Sequence, residues 1–198
     1  VGINKRFANR GQVGAAYTLS SGKTTNEAEN GLYSMDDRDP DDAYGYNGND
    51  ERHRLVVNGT VVLPWKIQLG GVLFARSGRP VNITLGTDPN RNGVFNERPN
   101  VAGGVKLGSD AMKSLSSFTT PAPGTFGNLP RNAGRGPGYW QLDLRVSKVF
   151  ELERMRLEVL AEAFNLDNHV NLNPWVGNML NRNFGRSITA DIARQVQL

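Results

Sequence analysis

The stretch YWQLDLRVSKVFELERMRLEVLAEAFN, residues 139–165, decides the fold. Its side chains alternate in two successive runs. In the first, Trp140, Leu142, Leu144, Val146 and Phe150 oppose Gln141, Asp143, Arg145 and Ser147. In the second, Met155, Leu157, Val159, Ala161 and Ala163 oppose Arg156, Glu158 and Glu162. A period of two belongs to a strand with one apolar and one polar face. The joint at 151–153 is short enough only for a hairpin. The pairing should bring Arg145 near Glu158, directly or diagonally.

The same alternation extends in both directions. Residues 53–63 set Leu55, Val57, Gly59, Val61 and Leu63 against Arg54, Asn58 and Thr60. Residues 66–76 set Ile67, Leu69, Gly71, Leu73 and Ala75 against Gln68, Gly70 and Arg76. Residues 12–20 carry Val13, Ala15, Tyr17 and Leu19 on one face, and 1–6 read as a further strand. A seventh strand is expected over 188–198, where Ile192, Val196 and Leu198 oppose Ala193, Gln195 and Gln197, with Arg194 on the apolar side.

The connections are sorted by length. Short joints fall at 8–11, 64–65 and 151–153, and long ones at 23–51, 81–137 and 166–185. Every second connection is long, so the long loops share one end of the sheet. Transmembrane β-barrels are built this way, with short periplasmic turns and long outer loops. The expected fold is therefore all-β: an antiparallel up-and-down transmembrane barrel segment of about seven strands. The apolar faces mix Gly and Ala with medium-sized residues, as a lipid-facing surface permits. A sandwich core calls for bulkier, interdigitating side chains. Arg54, Asn58, Arg76, Asp143, Arg145, Arg156, Glu158 and Glu162 are expected to face a water- or plug-filled lumen. Trp65 and Phe150 at short turns, and Tyr139 and Trp140 below a long loop, fit two aromatic girdles.

The totals narrow the classes. The 198 residues include no Cys, so there is no disulfide framework or thiolate metal site. No apolar run reaches the ~18 residues of a spanning helix. The net charge of +4 is dispersed among acidic residues, which argues against a nucleic-acid partner. Residues 1–6 read as strand rather than signal peptide, so the chain is expected to be part of a larger protein. Seven strands leave open edges, which lipid does not tolerate, and this points to a larger barrel.

Several motifs invite a site. Asp88, Asn90 and Asn92 stand at positions one, three and five of an EF-hand-like run, with Gly93 at six, the Val94 carbonyl at seven and Asn96 at nine. Position twelve is Pro99, so a calcium site would need Glu97 by a different loop path; an Asn- and Gly-rich turn is the plain alternative. Tyr33, Tyr44 and Tyr46 are candidates for stacking on a sugar or an aromatic ligand. The acidic run 36–42 reads as a solvated loop that attracts cations or a basic ligand. His53 and His169 lack the further ligands of a zinc site. The run 131–138 is glycine-rich but lacks the ending of a phosphate-binding loop and opens a strand, so it reads as scaffold.

Five stretches carry a family resemblance: DERHRLVVNGTVVLPW (50–65), ARSGRPVNITLGTDPNRNGVFNERP (75–99), NLPRNAGRGPGYWQLDLRVSKVF (128–150), RLEVLAEAFNLDNHVNLN (156–173) and NFGRSITADIARQVQL (183–198). Together, and in this order, they resemble the C-terminal barrel portion of TonB-dependent outer-membrane receptors, closest to the Oar-like branch that often carries a carboxypeptidase-regulatory-like domain. The resemblance implies that residues 1–198 are about the last third of a ~22-stranded barrel. The plug domain and TonB box would lie upstream, and a closing aromatic strand a few residues beyond Leu198. It implies an outer-membrane importer of a nutrient such as a siderophore, oligosaccharide or peptide. The expected partners are outer-membrane lipid, the rest of the barrel and plug, and the TonB complex acting through the plug. No covalent chemistry is expected, and calcium is the one cofactor the sequence suggests. Two rival readings stand beside it: a soluble secreted β-sandwich binding carbohydrate through its loops, and a plug-less porin or adhesin barrel.

Overall fold

One antiparallel sheet of seven strands runs through the molecule, and its spatial order is its chain order. The structure, a computed structural model, describes residues 1–7, 10–25, 34–36 and 38–198. The strands are β1 (Gly2–Phe7), β2 (Gly11–Leu19), β3 (His53–Leu63), β4 (Ile67–Arg76), β5 (Tyr139–Leu152), β6 (Met155–Phe164) and β7 (Gln195–Gln197). Each pairs antiparallel with the next. This is the up-and-down meander that the alternation predicts. β1 and β7 are its outer strands, so the sheet is open, as a segment of a barrel is.

Register sorts the faces. Tyr17, Leu55, Ala75 and Trp140 lie side by side across four strands. Two residues along come Ala15, Val57, Leu73 and Leu142, and then Val13, Gly59, Gly71, Leu144 and Ala163. A slip of one residue at any pair would turn a whole strand over, so the apolar alternation holds the register in place.

Among the described residues, no helix longer than a 3-10 turn and no second sheet covers this apolar face. Val13, Val61, Leu63, Val146, Leu157 and Val159 are exposed. In water such a continuous apolar surface drives association. The face also has the height of a bilayer core. From Trp140 to Phe150 the strand climbs roughly 33 Å at ~3.3 Å per residue, and a tilt of ~40° brings this to about 25 Å.

Both ends of the band carry aromatics. Tyr17 and Trp140 mark the long-loop end, and Phe7, Trp65 and Phe150 the short-turn end. Trp65 sits 79% exposed with φ 62, followed by Lys66 at φ 59. A left-handed backbone costs a bulky residue about 1–3 kcal/mol. The Trp65 ring is thereby held out at the level where indoles favour a membrane interface. Lys66 pairs with Glu151 at the neighbouring turn. Two lysines fall on the apolar face, and each bends toward the short-turn end: Lys5 over Phe7 at 5.1 Å and Lys148 over Phe150 at 4.9 Å. That posture keeps an aliphatic stem in the apolar layer and the amine near its edge.

The buried core lies outside the sheet, in the long loops. Val81, Ile83, Met112, Phe118, Leu129, Ala133, Trp175 and Phe184 form one cluster. Phe184 takes Phe118 and Trp175 edge-on at 6.0 and 5.9 Å, and Trp175 Nε1 donates to Arg135 O at 2.8 Å. Two-residue strand pairs stitch the cap together: Lys23–Thr24 with Gly45–Tyr46, Pro80–Val81 with Gly134–Arg135, and Asn100–Val101 with Phe118–Thr119. Gly185 has φ 74, and a Cβ there would meet Lys113 O at 2.1 Å, so only glycine fits. The long loops of the first and second hairpins are further locked by a buried pair, Arg98 Nη2 to Asp42 Oδ1 at 2.7 Å, with Arg98 Nε donating to Leu129 O.

The seventh strand departs from expectation. Only Gln195–Gln197 pairs with β6, not residues 188–198. The backbone before it is taken by the segment after β6. Asn173 N donates to Thr189 O, Asp191 N to Asn171 O and Arg194 N to Asn168 Oδ1. Those bonds hold residues 189–194 off the sheet edge.

Candidate functional site

The polar face gathers all eight predicted residues on one side. Arg54 and Arg76 are opposite one another, Asn58 shares a row with Val72 and Asp143, and Arg145 is directly opposite Glu162. Arg156 faces Glu151, and Glu158 faces Val149. Arg145 is a bridge: it lies 3.6 Å from Glu162 and 3.8 Å from Glu158. Its direct partner is Glu162, and Glu158, four residues away along β6, is reached by a long diagonal. Asp143 accepts from Gln141 Nε2 at 2.7 Å and from Asn165 N at 2.9 Å.

Toward the cap the polar face becomes more cationic and aromatic. The Arg54 guanidinium lies over Phe74 at 5.1 Å, and Arg76 over Tyr139 at 4.9 Å. Glu51 holds two cations together, Arg76 at 3.5 Å and Arg79 at 2.9 Å. A hollow of about 590 Å³ opens here between the strands and the first loop, with Thr18, Asn47, Asp50, Glu51 and Arg54 in its wall.

A second hollow of about 480 Å³ is walled by Lys23, Tyr44, Tyr46, Leu107 and Arg135. Asp50, in the wall of the first, is tied to the second through Arg135. Its fully buried carboxylate accepts from Gly22 N and pairs with Arg135 at 2.7 Å. Arg135 stacks on Tyr46 at 4.5 Å, and the Lys23 ammonium lies 5.1 Å from Tyr46 and 5.4 Å from Tyr44. Two candidate tyrosines are thus brought together, with cations against their ring faces. Tyr33 lies outside the described residues, as does Asp37 of the acidic run. The rest of that run is partly structural rather than simply solvated: Asp42 braces Arg98 and caps Met35 N at 2.9 Å.

The remaining motifs are placed as follows. Asp88, Asn90, Asn92, Val94, Asn96 and Glu97 form a tongue against the first loop, where Asn90 and Asn96 donate to Met35 O and Ser34 O. His53 Nδ1 lies 2.7 Å from Tyr17 Oη, and His169 stacks on Trp140 at 4.7 Å, so the two histidines are engaged separately. Among the described residues no three of His, Cys, Asp and Glu gather as a metal group. Within the glycine-rich run, Gly134–Arg135 is a strand of the cap, as the scaffold reading expects.

Sequence reasoning missed Lys23, Asp50 and Arg135 as a unit. Asp50 and Arg135 sit in recognisable stretches, but they are ~85 positions apart, and nothing local says that they meet.

Comparison with known proteins adds the family. No curated protein and no solved structure matches the chain. The family model described as an outer membrane beta barrel domain matches residues 1–197. This agrees with the uncovered apolar band, its aromatic borders and the one-ended cap, and it places the protein in the bacterial outer membrane. The chain belongs to the outer membrane β-barrel domain family.

Proposed function

We propose that this chain is the wall and outer cap of a TonB-dependent importer. The observation that carries the reading is a folded cap, with its own core and two hollows that carry charged side chains in their walls, mounted on an open sheet. A barrel of the ~22 strands that the resemblance implies would have a lumen wide enough to hold a plug. The charges of Arg54, Arg76, Asp143, Arg145, Arg156, Glu158 and Glu162 would face that lumen and its plug. Cargo would bind at the cap, against Lys23, Tyr44 and Tyr46, where two rings and a cation suit a polar nutrient such as a siderophore, oligosaccharide or peptide. On this reading the chain does no covalent chemistry, and the energy for release comes through TonB and the plug.

Bilayer conductance of the purified full-length protein tests the proposal. A plugged importer shows no steady conductance until the plug is loosened by urea, and it retains a soluble TonB C-terminal domain in a pull-down. An open channel in buffer alone would make it a porin. A closed barrel that ignores TonB would favour an adhesin. The soluble sandwich has no support, because no second sheet packs on the apolar face among the described residues.

A further inference from the structure

We infer that the tongue at residues 88–97 is a calcium site that fastens the cap. The inference starts from one side chain. Glu97 is 3% exposed, and both of its carboxylate oxygens are shielded from solvent and meet no donor at good hydrogen-bond geometry. An isolated buried carboxylate is too costly to leave uncompensated. Among the described ion pairs neither Glu97 nor Asp88 has a cation; the adjacent Arg98 is committed to Asp42.

The surroundings of Glu97 are oxygen-rich. Burial pushes its carboxyl up, its own backbone N–H offsets part of this, the Asp88 charge adds to the rise, and the Asn90 side chain lowers it slightly. Two of the groups that act on this carboxyl, Asp88 and Asn90, stand at the start of the loop. Asp88 takes Asn92 N on Oδ1 at 3.1 Å and Gly93 N on Oδ2 at 2.8 Å. Asn90 Oδ1 accepts from Asn92 N, and Asn92 Oδ1 from Val94 N. Each of these oxygens keeps further lone-pair capacity, so a cation need not break the turns.

The donor set is two carboxylates, the Asn90 and Asn92 amide oxygens and the Val94 carbonyl. All are hard oxygens, with no imidazole or thiolate, which suits Ca²⁺ over transition metals. Two negative charges match one divalent ion. The path also answers the missing carboxylate at position twelve. Arg91 at φ 61 and Gly93 at φ 83 curl the chain tightly, and Glu97 replaces the residue that Pro99 cannot be.

The consequence is mechanical. Leu85 N donates to Glu97 O, next to the buried Ile83 and Leu85, while Asn90 and Asn96 hold Ser34 and Met35 of the first loop. One ion would tie the tongue to both. This does not depend on what the barrel carries.

The test uses full-length receptor purified from outer membranes in detergent and stripped with EDTA. Calorimetry with CaCl₂ should show one equivalent more for the wild type than for Glu97→Gln or Asp88→Asn. Trypsin cleavage after Arg91 should slow about 100-fold at Ca²⁺ a hundred times its Kd, following ln(1 + [L]/Kd). In both variants it should ignore Ca²⁺, and Mg²⁺ at the same concentration should protect far less. Equal calcium stoichiometry in all three proteins, or cleavage that Ca²⁺ leaves unchanged in the wild type, overturns the inference. Heat-modifiable migration on SDS gels confirms that each barrel is folded. Should Glu97→Gln fail that control, the comparison of wild type with Asp88→Asn, at a half-buried position, decides between the two outcomes.

Discussion

The sheet and the cap solve opposite problems with the same chain. In the sheet, large apolar side chains such as Val146, Leu157 and Val159 stay exposed. In the cap, Ile83, Met112 and Leu129 are almost completely buried in a cluster built from loops. A soluble protein buries its strand faces and leaves its loops wet. The inversion shows which solvent each part meets: hydrocarbon replaces protein as the cover of the sheet, while the cap stands in water and needs a core of its own. The two parts also answer to different rules. The sheet is held by its backbone ladder and by register, and the cap by specific packing, buried ion pairs such as Arg98–Asp42 and Arg135–Asp50, and tight glycine contacts.

This contrast can be broken by mutation. The largest effect is expected in the cap. Trp175→Ala should cost about 3–5 kcal/mol of cap stability, read as faster cleavage of whole cells by external protease, with the heat-modifiable barrel band retained. Loss of the barrel as well would show that cap and sheet fold as one unit. Next comes the apolar face. Leu69→Arg should cost about 2–4 kcal/mol in the membrane, measured by urea unfolding in lipid vesicles. Its neighbour Gln68→Arg, on the opposite face, should change stability by about 0.5 kcal/mol or less; equal costs at the two positions would refute the lipid-facing assignment. Gly185→Ala should fall a little lower, about 1–3 kcal/mol from left-handed strain before its clash is counted, again in the protease readout. Smallest is Arg145→Ala. Its side chain is 52% exposed, so removing its two carboxylate contacts should cost about 0–1 kcal/mol in the same urea unfolding measurement.

The legible parts of the sequence share a property. In β3 through β6 the strands and their faces follow from alternation alone, because the face on which a side chain falls is set by counting from its neighbour. All eight polar-face residues are readable for that reason. The seventh strand is shorter than its sequence suggests because residues 188–194 alternate acceptably, yet their backbone groups bond to residues 168–173, a competition no local pattern reveals. The hub of Asp50, Arg135 and Lys23 is hidden for a similar reason, since its members come from the two ends of the first long loop and from the second.

The amino-acid sequence by itself determined the strand order, the two faces of each strand and the end at which the long loops gather, because periodicity and connection length are local quantities. Only the tertiary structure decided that those loops form a packed cap, and that the Glu97 carboxylate is buried within it. Cap packing joins aperiodic residues such as Val81, Met112 and Trp175 across long separations, and such contacts exist only once the chain has closed on itself.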